Sequence, residues 1–133
     1  MHPEAWEKEM SKLVNSALDG KQVGISIGGT NFVVTVASQS ESRTAGLAGK
    51  ESIPNDGMIF IYPGLHNAPF TMAEMLFPIQ IYFFDAAGHI IHAEGSHSQL
   101  TVEPPESYRY VVELASNLIV DGELELLEVI DDE

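Results

Sequence analysis

Short apolar runs separated by glycine-, proline- or asparagine-containing turns constrain the fold of this chain more than any other feature. In "VGISIGGTNFVVTVA" two alternating runs flank a Gly-Gly turn, which predicts a β-hairpin. The runs "GMIFIY", "PIQIYFF", "HIIHAEG" and "YVVELA" predict further strands, with "PGLHNAP" as a loop and "DAAG" as a turn. About six or seven short strands with a turn roughly every ten residues are typical of a compact antiparallel β-sandwich or barrel. We therefore predict a mainly β fold, at the border of α+β.

Residues 1–20 have a different pattern. A stripe at helical spacing, closed by a glycine suited to a helix end, consists of Trp6, Met10, Leu13, Val14 and Ala17, with Gly20 after them. This predicts an N-terminal amphipathic helix over 1–20 and, over 21–133, a single β-rich domain large enough for one core. We expect the helix to pack on the edge of that domain, and docking of a protein partner is the alternative.

Three shorter segments have weaker signals. Ser38 or Ser40 as an N-cap, followed by Glu41, Arg43 and Leu47, indicates a short helix. "EPPESYRY" is compatible with one helical turn before the next strand. The tail "DGELELLEVIDDE" alternates and then breaks, so a bulged final strand and a terminal helix both stay open.

The net charge is −14, and it lies entirely in the second part of the chain. Residues 1–50 hold five acidic and five basic side chains, whereas residues 51–133 hold fifteen acidic side chains and one basic side chain, Arg109. Such a surface repels phosphate backbones and anionic lipid headgroups, so we predict no binding to nucleic acid or to membranes. The simplest interpretation of the acids is that they keep the domain in solution.

Composition excludes several further classes. The absence of cysteine rules out disulfides, thiol nucleophiles and thiolate metal sites. No apolar run is long enough for a membrane-spanning helix. The N-terminus lacks the pattern of a secretory signal, which predicts a cytoplasmic protein.

Two stretches, "SRTAGLAGKESIPNDGMIFIYPG" and "FTMAEMLFPIQIYFFDAAGHII", resemble the family known as domain of unknown function 192. The matching positions are Arg43, Gly46, Leu47, Asp56, Gly57, Met58, Phe60, Met72, Pro78, Phe83, Asp85 and Gly88. The resemblance covers about residues 23–130 and implies a compact β-rich sandwich or barrel with one or two short helices. No activity is established for that family. The family occurs in bacteria, archaea and phages, so the resemblance implies a phage-associated role as one alternative.

The chain departs from the family's pattern at Thr71, Glu74 and Gln80, where the family has Trp, Asn and Asp. A catalytic general base would rarely survive replacement by an amide, because glutamine does not accept a proton at neutral pH. A hydrogen-bond network tolerates such an exchange when donors and acceptors rearrange. We therefore expect a structural polar cluster, in which Arg43 pairs with Glu74.

Other candidate sites have plainer interpretations. His89, His92 and His97 lie close in sequence, but on a strand His89 and His92 would point to opposite faces, so we predict no metal centre. "IGGTN" precedes a strand rather than a helix, so it is a turn rather than a phosphate loop, and we predict no cofactor.

Several carboxylates invite a catalytic interpretation. A paired-carboxylate hydrolase would require some of Asp56, Glu74, Asp85 and Glu94 to converge. Asp85 is expected instead to cap the "DAAG" turn. Glu113, within "YVVELA", is expected to point outward from an edge strand.

Both faces of "IYFF" are apolar. The Tyr82–Phe84 segment therefore belongs to a central strand, or one of its faces is covered by the N-terminal helix or another subunit.

Taken together, these features favour a non-enzymatic binding or structural interaction module, with self-association or a protein partner at the N-terminal helix or the Tyr82–Phe84 face. The alternative is a small-ligand or carbohydrate-binding domain. Its predicted pocket consists of Arg43, Asp56, Met72, Glu74 and Gln80. A carboxylate-dependent hydrolase is the weaker alternative, and no catalytic residue is assigned.

Overall fold

The structure is a computed structural model that describes residues 18–48, 50–71, 76–96, 101–115 and 118–130. Its strands are β1 (Gln22–Ile27), β2 (Thr30–Ala37), β3 (Gly57–His66), β4 (Phe70–Thr71), β5 (Ile79–Phe84), β6 (Ile90–Ser96), β7 (Thr101–Val102), β8 (Tyr108–Ala115) and β9 (Leu124–Ile130). One short helix, α1 (Ser40–Ala45), follows β2. Most of the helix predicted for 1–20 lies outside the described residues.

Seven strands form one curled sheet in the order β6-β5-β8-β3-β2-β1-β9, and β4 pairs with β7 in a separate ribbon. The mainly β prediction is confirmed. The expectation of a purely antiparallel arrangement is wrong for one pair, because β2 and β3 run parallel from Val34↔Gly57 to Ala37↔Phe60. A parallel pair needs a crossover connection, and α1 with the loop after it supplies one.

Apolar side chains cover both faces of the sheet. In β5, Tyr82 and Phe84 join the core on one face, whereas Ile81 and Phe83 join the core on the other. This strand lies between β6 and β8, which confirms the prediction of a central strand. All three side chains of Tyr82–Phe84 are at most 1% exposed, so both faces of this part of the strand are buried.

The weaker local predictions have mixed outcomes. The short helix is confirmed, but its N-cap is Gln39, whose backbone N–H donates to Ser42 Oγ at 3.1 Å. The tail is a strand, β9, whose pairing with β1 shifts register between Gly24 and Ile25, as a bulged strand does.

Two segments differ from prediction. The strand that begins at Gly57 continues through "PGLH" to His66, where a loop was expected, because His66 pairs with Tyr108 after a register shift. "EPPESYRY" forms bends and then enters β8 at Tyr108, without the expected helical turn.

In the parts of the chain that the structure describes, no helix is long and apolar enough to cross a membrane.

Candidate functional site

A cavity of about 500 Å³ opens on one face of the sheet, between β3, β8, α1 and the segment that leads to β4. Four phenyl or phenol rings line it: Phe60, Tyr62, Phe70 and Tyr108. Arg43 and Glu113 contribute the two charged groups among the described lining residues. Residues around the rim, such as Thr44 and Gly64, are exposed.

The rings hold one another in edge-to-face contacts. The Phe60 and Phe70 ring centres are 5.3 Å apart at an interplanar angle of 89°. The Tyr62 and Tyr108 centres are 5.5 Å apart at 77°. Phe60 and Tyr62 share a face because they are two residues apart on β3, while β4 and β8 bring the other two rings. Such pairs prefer this geometry, so the aromatic wall has a defined shape.

The two tyrosine hydroxyls form a chain. Tyr108 donates to the backbone carbonyl of Ala68 at 2.6 Å, and its hydroxyl also hydrogen-bonds with that of Tyr62. Burial raises the pKa of Tyr62 to about 12, against the opposing effect of Arg43, and burial also raises the pKa of Tyr108. Both phenols are therefore neutral at physiological pH.

Arg43 lies where α1 meets the rim of the cavity. Its Nη1 donates to the carbonyls of Ser38 at 2.6 Å and Ile61 at 3.2 Å. Its guanidinium carbon lies 4.9 Å from the centre of the Tyr62 ring, within the range of a cation–π interaction. Arg43 therefore lines the cavity, and its predicted role in ligand binding stays a prediction.

Glu113 lies on β8, between Met58 of β3 and Ile81 of β5. The expectation that it points outward from an edge strand is wrong, because β8 is a central strand and Glu113 is 3% exposed. Its Oε1 is buried and has no hydrogen-bond partner among the described residues. Burial raises the pKa of the Glu113 carboxyl to about 8.

The rest of the predicted pocket lies elsewhere or outside the described residues. Gln80 pairs with Leu114 across the strands and shares its face, the face opposite the cavity. Asp56 Oδ2 accepts a hydrogen bond from the Val33 backbone N–H at 2.8 Å. Met72 and Glu74 lie outside the described residues, and so does the proposed pair of Arg43 with Glu74. Their binding roles stay predictions.

Both the side chain and the backbone of Asp56 form hydrogen bonds with Val33. Besides the side-chain bond, its N–H donates to the Val33 carbonyl at 3.0 Å. We expect Asp56→Ala to lower the free energy of unfolding by about 1–3 kcal/mol, and Asp56→Asn to lower it less because the amide oxygen still accepts. Urea denaturation measures both. A normally stable Asp56→Ala variant would show that this hydrogen bond does not hold the turn.

The described carboxylates of the hydrolase hypothesis each interact with a different neighbouring group. Asp85 Oδ1 accepts from the N–H groups of Ala87 and His89, both at 2.9 Å, which confirms the predicted turn cap. Glu94 lies 2.9 Å from His92 Nε2 on β6. With Asp56 bound to Val33, these three carboxylates have different local partners, and Glu74 lies outside the described residues.

The described histidines also contact different neighbours. His89 Nδ1 contacts Glu123 at the surface, 2.9 Å away, whereas His92 contacts Glu94. His66 stacks on Tyr62, with ring centres 4.5 Å apart. His97 lies outside the described residues. Over the described ranges, no three His, Cys, Asp or Glu side chains are arranged to hold a metal ion.

Sequence reasoning did not predict Glu113 or the aromatic wall as parts of a site. The available signal for Glu113 was an acid within "YVVELA", a run whose apolar residues occupy both faces and therefore fit a central strand. The wall assembles from β3, β4 and β8, so its rings have no common sequence motif.

Comparison with known proteins identifies the family. The sequence profile of the domain of unknown function 192 family, described as an uncharacterised ACR, matches residues 23–126. The chain therefore belongs to that family. A search of curated protein sequences found no match.

Two solved structures share the fold. One is from Sinorhizobium meliloti 1021 and is described provisionally as a transcription regulator; it is 20% identical, has a TM-score of 0.65, and the match covers 80% of this chain and 92% of that one. The other is a protein of unknown function from Novosphingobium aromaticivorans DSM 12444, 16% identical with a TM-score of 0.62, covering 78% and 83%. At these identities the likeness shows the fold alone.

Proposed function

We propose that this protein is a non-enzymatic binding module whose ligand is a small organic molecule held in the aromatic cavity. The observation that carries the proposal is a cavity of about 500 Å³ with a wall of aromatic rings and a buried, unpartnered carboxyl oxygen among the described residues. Ligand sites in proteins are typically apolar clefts of about 300–1,000 Å³ with a few polar groups.

The position of the family's motif supports the same site. Of the residues that match it, Arg43, Gly46, Leu47 and Phe60 line the cavity. Gly46 has φ 46°, and a Cβ there would lie 3.2 Å from the Phe60 ring. The motif thus contributes one ring of the aromatic wall, Phe60, and the turn that ends α1 beside it.

Binding fits the lining better than hydrolysis does. Hydrolysis by paired carboxylates requires two carboxyl groups within about 5–9.5 Å of each other. Among the described lining residues Glu113 is the only acid. The partner hypothesis, at the N-terminal helix or the Tyr82–Phe84 face and with a phage-associated or cytoplasmic location, stays a prediction.

A blocking variant tests the proposal. Thr44 is exposed and lines the cavity, so Thr44→Trp places a large side chain at its mouth without disturbing the core. Thr30→Trp is the matched control, because Thr30 is also exposed and does not line the cavity. The probes are indole, 2-phenylethanol, 2-phenylethylammonium and methyl β-glucoside at millimolar concentration, followed by amide NMR shifts.

We expect at least one probe to shift the amides of the cavity lining saturably in the wild type and in Thr30→Trp. In Thr44→Trp the same probe should bind at least tenfold more weakly, because the added ring occupies its place. Equal affinity in both tryptophan variants, or no saturable shift at the lining with any probe, would contradict the proposal.

A further inference from the structure

We infer that the cavity takes an organic cation with an apolar body, a protonated amine whose N–H groups contact Glu113 while its carbon frame lies against the aromatic rings. This inference rests on the proposed function and adds the chemical class of the ligand.

The first argument is the unmatched hydrogen-bonding capacity of Glu113. Its side chain is 3% exposed, and Oε1 has no partner among the described residues. Its neighbours across the sheet, Met58 and Ile81, are apolar and offer no donor. A buried polar group without a partner costs free energy, and a buried carboxylate costs much more. A ligand that brings a positive charge and N–H donors removes both costs.

The second argument is the aromatic wall. The faces of phenyl and phenol rings attract cations, and the attraction grows in a site shielded from water. The chain already uses this interaction, because the guanidinium of Arg43 lies 4.9 Å from the centre of the Tyr62 ring. Phe60, Phe70 and Tyr108 are the other phenyl and phenol rings that line the cavity.

The charges near the cavity favour a cation over an anion. Arg43 is the one basic group among the described lining residues other than His66, and its Nη1 is held by two backbone carbonyls. Glu113 would repel an anion whenever it is ionised, and the net charge of −14 repels anions at long range. The electrostatic field therefore draws organic cations toward the protein.

The affinity of a cation for this site should depend on pH in a defined direction. The titratable and charged groups that line the cavity with Glu113 are Arg43, Tyr62, His66 and Tyr108, and Glu94 of β6 lies two strands away on the same face of the sheet. Because burial raises the pKa of Glu113 to about 8, binding an ammonium group displaces a proton below that pH. The apparent affinity should rise about tenfold per pH unit from pH 6 toward 8 and then level off.

Three probes of nearly equal shape test the inference: 2-phenylethylammonium, 2-phenylethanol and phenylacetate, each titrated at pH 8.5 with amide NMR shifts as the readout. We expect the ammonium to bind at least tenfold more tightly than the alcohol, and phenylacetate to bind most weakly. Glu113→Gln should reduce the preference for ammonium over alcohol to less than threefold. Glu125→Gln, which removes one exposed acid from β9, should leave the preference unchanged.

The outcomes separate the two claims. If 2-phenylethanol or phenylacetate binds in the cavity with the same affinity as 2-phenylethylammonium, the cation inference is overturned and the proposed function stands. The inference is also overturned if Glu125→Gln lowers the preference as much as Glu113→Gln does, since Glu113 would then have no specific part. If none of the three probes shifts the lining, the inference fails, and the proposed function fails with it only when indole and methyl β-glucoside give no shift either.

Discussion

Replacing Glu113 by glutamine is expected to raise the free energy of unfolding at pH 8 by on the order of 3–5 kcal/mol. The variant is more stable because the replaced carboxyl group is buried in a central strand. Burial favours the neutral carboxyl and raises its pKa from 4.5 to about 8. The unfolded chain releases this proton near pH 4.5, whereas the folded chain keeps it until about pH 8. Glutamine has nearly the same shape and nothing to ionise.

The sign follows from proton counting. Between pH 4.5 and about 8 the folded state binds one more proton at Glu113 than the unfolded state does, so stability falls as pH rises. The slope is about 1.4 kcal/mol per pH unit for this one group. The contribution of Glu113 is fully present below pH 4.5 and is lost as pH rises through the window that ends near 8.

Urea denaturation from pH 4 to pH 9 measures this effect. The wild type and Glu113→Gln should have similar stability at pH 4 and should diverge steadily above pH 5. Glu125→Gln, an exposed acid on β9, is the matched control and should follow the wild type at every pH. A wild-type curve that stays parallel to that of Glu113→Gln over this range would show that Glu113 is ionised at neutral pH.

The second large change in stability is expected on substitution of Gly57, the first residue of β3. This residue has φ 153°, and a Cβ there would lie 1.9 Å from the backbone oxygen of Glu113 and 2.9 Å from its carbonyl carbon. The backbone of a central strand has no room to move aside. Gly57→Ala should therefore cost at least about 4 kcal/mol or prevent folding, in the range of the most damaging single substitutions.

Gly64→Ala is the control for that variant. Gly64 lies on the same strand, with no atom within 4 Å of the position of its Cβ, so its substitution should change stability by no more than about 0.5 kcal/mol. Thermal unfolding of the two variants gives the comparison. Similar midpoints for Gly57→Ala and the wild type would contradict the close contact between β3 and β8.

The close contact between Gly57 and Glu113 links the pairing of β3 with β8 to the position of the Glu113 carboxyl in the cavity. Gly57 pairs with Leu114 and Met58 with Glu113, so the tight approach at Gly57 sets the register that places the carboxyl in the cavity. Asp56, just before, is tied to Val33 by two hydrogen bonds. The "NDG" segment of the motif therefore contributes to the pairing of the sheet strands, and the ligand-binding role of Asp56 stays a prediction.

The sequence predicted the features that depend on near neighbours. The β1–β2 hairpin follows from alternation around a Gly-Gly turn, and the Asp85 cap follows from a side chain that bonds its own turn. The parallel pairing of β2 with β3 and the central place of β8 depend on contacts between distant segments. Alternation within one strand gives no information about which strands lie beside it.

The site was less predictable than the fold for the same reason. Arg43 was expected in a pocket because it belongs to a recognisable motif, and it lines the cavity. Gln80 lies within the same motif, between Pro78 and Phe83, yet strand alternation directs it to the opposite face. Glu113 was expected to point outward from an edge strand. Its burial follows from β5 and β3, which pair with β8 on its two sides.

The most direct test of the central claim, a ligand site around Glu113, is to locate a bound probe by intermolecular NOEs. The measurement uses wild-type protein at pH 8.5 with 2-phenylethylammonium at millimolar concentration. The structure predicts NOEs from the probe's ring protons to the rings of Phe60, Tyr62, Phe70 and Tyr108. NOEs confined to side chains outside this wall, or none with the probe in excess, would contradict the claim.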